Sequence, residues 1–166
     1  MAKKSESETL ADTYEAVRGL TKFYFSQAKD IDVHKRWGVD GITFNSIYWM
    51  VGHLTWTEHM LLVEGLTGNK ADIPWLEDFA MGTNPPDRNS NPTFEEALKK
   101  LDEVHTEAVK NIRSLTDEQL DEPNHQGIAF MGKNTKRNVI MHAIRHEPMH
   151  IGQLSWILKL NGIKIV

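Results

Sequence analysis

Apolar residues recur at helical spacing in four segments of the chain. In the first segment, residues 5–29, they are Leu10, Tyr14, Val17, Leu20, Tyr24 and Ala28. The segment opens with Ser5-x-x-Glu8, the capping-box pattern in which a serine and a glutamate three residues later satisfy free N–H groups at a helix start. The pattern therefore predicts a first helix over residues 5–29.

Two further helices are predicted from apolar runs and end signals. The second covers Phe44 to Leu66, a strongly apolar stretch that has no interior proline and stops before Gly68. Glycine at that position is typical of a helix end. The third helix begins at another capping box, Thr93-x-x-Glu96, and runs to about Ser114.

A fourth helix is predicted near the end of the sequence. Asn134 or Thr135 is expected to cap it, and it runs to Asn161-Gly162. Pro148 lies inside this helix and removes one backbone N–H, which predicts a kink or a local bulge there. Before the helix, a short extended piece is expected over residues 128–131.

The connection between the second and third helices, residues 69–92, holds four of the six prolines. It is far longer than the ~2–8 residues usual between neighbouring helices of a bundle, so it is expected to cross the bundle. Some of its large apolar residues are expected to pack against the helices: Trp75, Leu76, Phe79 and Met81. The segments together predict an all-α fold, a four-helix bundle with a crossover connection.

The length and charge of the chain limit the kinds of protein that it can be. A chain of 166 residues, 40% hydrophobic and a quarter charged, has the size of one ordinary core, so residues 1–166 are expected to form a single domain. A net charge of −4 with scattered lysines and arginines argues against a nucleic-acid partner. The sequence shows neither a signal peptide nor a membrane-length apolar run, so a cytoplasmic protein without membrane contact is expected.

The absence of cysteine constrains the chemistry. It excludes disulfides and thiolate metal sites within the chain. A metal site would have to use histidine, aspartate or glutamate. Any covalent thiol chemistry would need a thiol from outside the protein.

Three histidines fall on predicted apolar helix faces. At about 100° per residue, His146 and His150 lie inside the apolar arc of the fourth helix, and His53 shares a face of the second helix with Trp49 and Trp56. A buried imidazole needs partners for two nitrogens, and an i,i+4 pair facing a third histidine is hard to satisfy without a shared cation. His53, His146 and His150 are therefore predicted to bind a divalent metal between facing helices. The alternative is a structural cluster satisfied by backbone or hydroxyl partners.

The other titratable residues are assigned to less central positions. Four histidines are expected in loops or on exposed faces: His34, His59, His105 and His125. His142 lies near the edge of the apolar arc, where a solvent-edge position and a supporting role beside the ligands are both open. Glu58 is about 140° from His53 around the second helix, and Glu147 is about 100° from His146 around the fourth. Both carboxylates are expected to face solvent, so no general base is assigned.

The string His146-Glu147-Pro148-Met149-His150 matches H-E-x-x-H, the zinc metalloprotease signature. The longer form of that signature fails, because Gln153 stands at its glycine position and Trp156 at its last histidine position. No Asp, Glu or His follows His150, so a third ligand would have to lie upstream. A protease of this type is therefore not expected.

Two motifs carry a resemblance to a known family. "GHLTWTEHMLL", residues 52–62, is followed about ninety residues later by "HEPMHIGQLSWILKLNG", residues 146–162. The pair resembles the DinB-like superfamily of metal-dependent enzymes, whose last long helix carries His-x3-His followed by a Gly-Gln pair. The family's three metal ligands fall on His53, His146 and His150, and its Gly-Gln pair on Gly152 and Gln153.

The resemblance implies an up-down-down-up bundle, frequent homodimers, and a divalent metal such as nickel or zinc with open positions. Characterised relatives include thiol S-transferases and a mycothiol-dependent isomerase, which implies a small-molecule substrate and a low-molecular-weight thiol. The leading hypothesis is a metal-dependent transferase, isomerase or hydrolase. Two alternatives stay open: a metal- or ligand-binding module without turnover, and a structural bundle that acts as a dimer.

Overall fold

The computed structural model describes residues 4–84 and 86–165. Within them, four long helices account for most of the structure. α1 covers Glu6–Ser26, α3 covers Phe94–Arg113 and α4 covers Lys136–Leu160. α2 is continuous but mixed, with an α-helical part Ile47–Glu58, a π-helical part His59–Glu64 and a last turn Gly65–Thr67.

Shorter elements lie in the connections. β1, Gly38–Val39, pairs antiparallel with β2, Ile42–Thr43, in a small hairpin before α2. A 3-10 turn, Leu76–Phe79, lies in the connection between α2 and α3, and another, Gln119–Asp121, precedes α4. Both the hairpin and the π-helical segment were missed from the sequence.

Three of the four predicted helix starts are confirmed at their caps. The Ser5 hydroxyl accepts from the Glu8 N–H and the Glu8 carboxylate accepts from the Ser5 N–H, so the first capping box is formed in both directions. The second capping box, Thr93 with Glu96, is formed in the same way. Thr135, one of the two residues proposed as the cap of α4, accepts from the Asn138 N–H.

Some boundaries and local features differ from the expectation. α1 ends at Ser26, and α2 begins only at Ile47, where the Ser46 hydroxyl caps it. The extended piece expected over residues 128–131 is reduced to one bridge, Phe130 with Lys133. Of the kink or local bulge expected beside Pro148, the bulge was wrong, since α4 stays α-helical through it, and the kink stays a prediction. One missing N–H frees a single carbonyl, and the hydrogen bonds on either side continue the helix.

Contacts of α1 fix the directions of two helices. α1 and α3 run antiparallel, since later residues of one meet earlier residues of the other: Asp12 with Arg113, Tyr14 with His105, and Arg18 with Leu101. α1 and α4 run parallel. Glu6 pairs with Arg137 near their starts, and Arg18 pairs with Glu147 further along.

The direction of α2 completes the topology. Glu58 meets His105, and four residues later the Leu62 carbonyl meets Asn111, so α2 and α3 run parallel. The helices are therefore arranged up-down-down-up, as the resemblance implied. The all-α four-helix bundle with a crossover is confirmed.

The connection between α2 and α3 folds over α2. Leu76 and Phe79 are buried and Trp75 is partly buried, as expected, whereas Met81 is 83% exposed. This cover leaves α2 buried on nearly all sides. None of the helices within residues 4–84 and 86–165 combines the length and apolar character needed to cross a bilayer.

Candidate metal centre

Facing side chains of α2 and α4 bring the three predicted histidines together. One ring nitrogen from each of His53, His146 and His150 lies within 4.8 Å of the other two. The Nε2 atoms of His146 and His150 are 3.2 Å apart. The His53 ring lies across from both, with its centroid 5.3 Å from that of His146 and 4.9 Å from that of His150. These three residues are called the histidine cluster below.

His53 is held in one orientation by its surroundings. Its Nδ1 is 2.9 Å from the Phe79 carbonyl oxygen. A carbonyl only accepts hydrogen bonds, so Nδ1 carries the proton and Nε2 keeps a lone pair. Trp49 stacks on the His53 ring with 4.3 Å between centroids, and the Trp56 ring is nearly parallel to it with 5.7 Å between centroids. His53 therefore presents a free Nε2 from a fixed ring.

His150 is oriented by the glutamine of the Gly-Gln pair. Its Nδ1 is 3.0 Å from Oε1 of Gln153, so the same reasoning leaves the lone pair on Nε2. This nitrogen points at Nε2 of His146. Two lone pairs repel at that distance, so either a proton or a cation must lie between them. Metal-binding histidines are commonly oriented in this manner, with the second ring nitrogen bonded to a polar neighbour.

The protonation of the cluster suits metal binding. Burial lowers the pKa of His53 to about 4, although its bond to Phe79 opposes the shift. Burial and the neighbouring histidines lower the pKa of His146 to about 3, and burial also lowers the pKa of His150. All three imidazoles are therefore neutral at pH 7, the form that binds a metal.

Comparison with known families identifies the superfamily of the chain. The sequence model of the DinB superfamily matches residues 8–154, which span α1 to α4 and include all three histidines. The chain belongs to the DinB superfamily. No curated protein matches the sequence. The resemblance seen in the two histidine-bearing motifs is thus confirmed at the level of the family.

His142 of this DinB-superfamily chain lies beside the cluster. Its ring stacks on Phe130, with 3.6 Å between centroids, and is 5.5 Å from the ring of His146. Burial lowers the pKa of His142. The side chain is half-buried and adjoins a cluster member, so it lies beside the histidine cluster, and a supporting role there stays a prediction.

The solvent-facing positions expected for Glu58 and Glu147 were wrong, as each residue is only 2% exposed. Arg18 of α1 binds both: its Nη2 is 2.7 Å from Glu58 Oε2, and its Nε and Nη2 are 2.8 and 3.0 Å from the two oxygens of Glu147. His105 is 2.8 Å from the other oxygen of Glu58. Arg18, Glu58, His105 and Glu147 are called the Arg18 cluster below.

The Arg18 cluster lies deep in the bundle, and its members are hydrogen-bonded to one another. Burial lowers the pKa of Arg18, yet the two carboxylates outweigh it and the pKa is raised. Burial raises the pKa of Glu58, yet Arg18 and His105 outweigh it and the pKa is lowered. The guanidinium also donates to the Leu101 carbonyl at 3.0 Å. Both the arginine and Glu58 therefore stay charged inside the protein.

His59 and His105 were also wrongly placed on the surface. His59 is 1% exposed, because the connection after α2 covers it: the Ala71 N–H donates to its Nε2 at 3.3 Å. Its Nδ1 lies 3.1 Å from Glu64, five residues on, and the wider π-helical turn places these two side chains on one side. Of the other two histidines, His34 is half-buried against Tyr48, and His125 is exposed as expected.

Proposed function

We propose that this protein is a metal-dependent enzyme that holds a divalent ion, nickel or zinc, with His53, His146 and His150. The reaction we assign to it is transfer of an external low-molecular-weight thiol to a small-molecule substrate, with a related isomerisation or hydrolysis as the neighbouring possibilities. The observation that carries the proposal is the convergence of one ring nitrogen from each of three neutral imidazoles, within 4.8 Å of one another.

The donor set favours a catalytic over a closed site. Three histidines supply three ligands, and a divalent ion such as zinc accepts at least four, so one position is left for a water or a substrate atom. In that position the ion would lower the pKa of a thiol or water and supply a nucleophile near neutral pH. Since the chain has no cysteine, the thiol would come from solution.

The chain's own residues prepare the site. The Phe79 carbonyl and Gln153 hold His53 and His150 in the tautomers that leave Nε2 free. Trp49 and Trp56 flank His53 and keep water from its faces. A lower local dielectric strengthens every electrostatic interaction with the ion.

An apolar groove of about 520 Å³ is lined in part by Gln153, the residue bonded to His150, although none of the three histidines lines it. Its lining includes side chains of the hairpin region and of α4: Phe44, Met149, Gln153 and Trp156. A concave, mainly apolar site of this size is typical for small molecules. The groove therefore supports a small-molecule substrate.

The position of Glu147 argues against a peptidase. In H-E-x-x-H enzymes the glutamate acts as the general base at the metal. Here both Glu147 oxygens are bound by Arg18, in a buried cluster on another face of α4. The carboxylate is therefore engaged away from the histidine cluster.

Metal content is the first test. Untagged protein purified without chelators is expected to hold about one equivalent of metal per chain, measured by elemental analysis. His53→Ala and His150→Ala are expected to lose it, whereas His125→Ala, which alters an exposed loop histidine, keeps it. Wild-type protein that binds no zinc, nickel, iron or manganese after reconstitution contradicts the proposal.

Access of thiols separates an enzyme from a closed binding module. In cobalt-substituted protein, added cysteine or glutathione is expected to produce a sulfur-to-cobalt charge-transfer band, because one position is open. An unchanged spectrum contradicts an open site. Thiols that give the band are then incubated with the protein and with epoxide or maleyl electrophiles. The reaction is measured as the loss of free thiol, and His150→Ala is the control.

A further inference from the structure

Gly52, the residue before His53 in α2, lies directly against Phe79 of the connection. A Cβ atom placed on Gly52 would come within 2.1, 2.3 and 2.5 Å of three carbons of the Phe79 ring. Real contacts of that length do not occur, so the ring occupies the space that any side chain at position 52 would need. Glycine is a poor helix former, which makes its place inside a buried helix unusual.

The Phe79 ring has little freedom to move elsewhere. Its side chain is fully buried. Tyr48 meets it edge to face at 5.2 Å between centroids, and Trp75 does so at 5.5 Å. A group pushing from Gly52 would therefore displace the whole residue, including its backbone, since the other sides of the ring are occupied.

The backbone of Phe79 contacts the histidine cluster. Its carbonyl oxygen accepts the hydrogen bond from His53 Nδ1 at 2.9 Å. We propose that Gly52 and Phe79 are positioning residues of the metal centre. By admitting the Phe79 ring against α2, Gly52 places the carbonyl that selects the His53 tautomer and ring orientation with Nε2 free. The inference rests on the proposed function and adds the connection between α2 and α3 to the site.

The competing explanation is ordinary core packing. In that case a methyl group at position 52 lowers the stability of the fold and leaves the His53 tautomer and the metal geometry unchanged. If Gly52 positions the ligand, the tautomer and the metal affinity change in protein that is still folded. The test therefore needs measurements that packing alone does not alter.

Gly52→Ala is compared with Gly19→Ala. Both glycines lie inside helices, and a Cβ on Gly19 meets no atom within 4 Å. Zinc affinity, measured by competition with a chelator, is expected to fall about 10- to 100-fold in Gly52→Ala, the range usual for groups that orient a ligand. It is expected to change less than about twofold in Gly19→Ala. The visible spectrum of the cobalt form changes in Gly52→Ala alone.

A metal-free readout keeps the two proposals separable. Nitrogen NMR of histidine-labelled protein reports which ring nitrogen of His53 is protonated. We expect the Nδ1–H form in wild type and Gly19→Ala, and a mixture in Gly52→Ala. If the wild type binds no metal, the proposed function fails, and this measurement still decides the role of Gly52 and Phe79.

A double variant tests the mechanism through the ring. Gly52→Ala with Phe79→Ala removes the ring atoms that the new methyl group would strike, so the carbonyl can return and most of the lost zinc affinity is regained. Folding of each variant is checked by circular dichroism. A Gly52→Ala protein that is folded, with wild-type zinc affinity and the wild-type His53 tautomer, overturns the inference.

Discussion

The bundle holds two polar clusters that differ in burial and in chemistry: Arg18, Glu58 and Glu147 are each 2% exposed, whereas His146 and His150 are only half-buried. The Arg18 cluster contains both donors and acceptors, and its guanidinium meets two carboxylates and a backbone carbonyl. The histidine cluster consists of three imidazoles whose ring nitrogens converge, with the Nε2 atoms of His146 and His150 3.2 Å apart. Burial of polar groups is thus no mark of a binding site by itself. Several ring nitrogens that converge on one point are what indicate a candidate metal site.

The two clusters share helices, which makes the contrast sharper. His146 and Glu147 are neighbours in sequence, yet one faces α2 and the other faces α1. α4 can serve both because it packs against α1 on one side and α2 on another. One cluster is suited to holding the helices together and the other to holding an ion between them.

The largest expected effect on stability comes from removing Arg18 from the Arg18 cluster. Arg18→Leu removes the guanidinium and leaves the Glu58 and Glu147 carboxylates buried without their partner. The free energy of unfolding is expected to fall by about 3–5 kcal/mol, measured by urea denaturation. The control is Arg113→Met, which removes an exposed arginine paired with Asp12 and Glu15 and is expected to cost under about 1 kcal/mol. Equal losses in the two variants would contradict the expectation that the buried Arg18 cluster stabilises the fold more than an exposed ion pair does.

Metal bound at the histidine cluster is expected to raise the free energy of unfolding by an amount similar to the loss in Arg18→Leu. At a free zinc concentration about a thousand times the dissociation constant, a site present only in the folded protein adds about 4 kcal/mol to the free energy of unfolding. Urea denaturation with zinc and with a chelator measures the difference. His53→Ala is expected to show no difference, and Arg18→Leu, where folded, is expected to keep it. Zinc stabilisation that survives in His53→Ala contradicts the assignment of the ligands.

Acid is expected to lower the stability of the fold by protonating Glu58 of the Arg18 cluster. Its folded pKa lies below the ordinary value near 4.5, since Arg18 and His105 outweigh burial. The unfolded chain therefore takes up a proton at a pH where the folded protein does not, and stability falls as the pH drops below about 4.5 toward the folded pKa. One such group contributes a slope of up to about 1.4 kcal/mol per pH unit. Metal-free wild type is expected to show this extra slope and Glu58→Gln to lack it; equal slopes contradict the prediction.

Local patterns in the sequence were reliable where the physics is local. Both capping boxes formed, because the groups that satisfy each other are three residues apart. His146 and His150 were predicted to face one partner because four residues make about one helical turn. The small hairpin was missed although Asp40 and Gly41, which carry the two positive φ angles of its turn, form a dipeptide typical of such turns.

Errors arose where a helix contacts the rest of the protein on more than one side. Glu58, Glu147 and His59 were assigned to solvent because each is turned away from a cluster member, which assumes a single buried face. α2 is surrounded by helices and by its own following connection, so that assumption fails. A signal for the Arg18 cluster was present: Arg18 lies on the same arc of α1 as Tyr14 and Phe25, and a charge there requires a buried partner.

The smallest expected effect comes from the group that orients His150. Gln153→Leu removes the acceptor for Nδ1–H, so the ring loses its fixed tautomer and zinc affinity is expected to fall about tenfold, or about 1.4 kcal/mol. Gln153→Glu is the matched control, since a carboxylate keeps an acceptor at the same reach and should hold the affinity at or above that of wild type. Competition with a chelator measures both. A loss of affinity in both variants would mean that the glutamine acts through its shape beside the groove. A loss in Gln153→Leu alone assigns the effect to the hydrogen bond that orients His150. The Arg18 cluster needs no such outside contact, because its own members are hydrogen-bonded to one another.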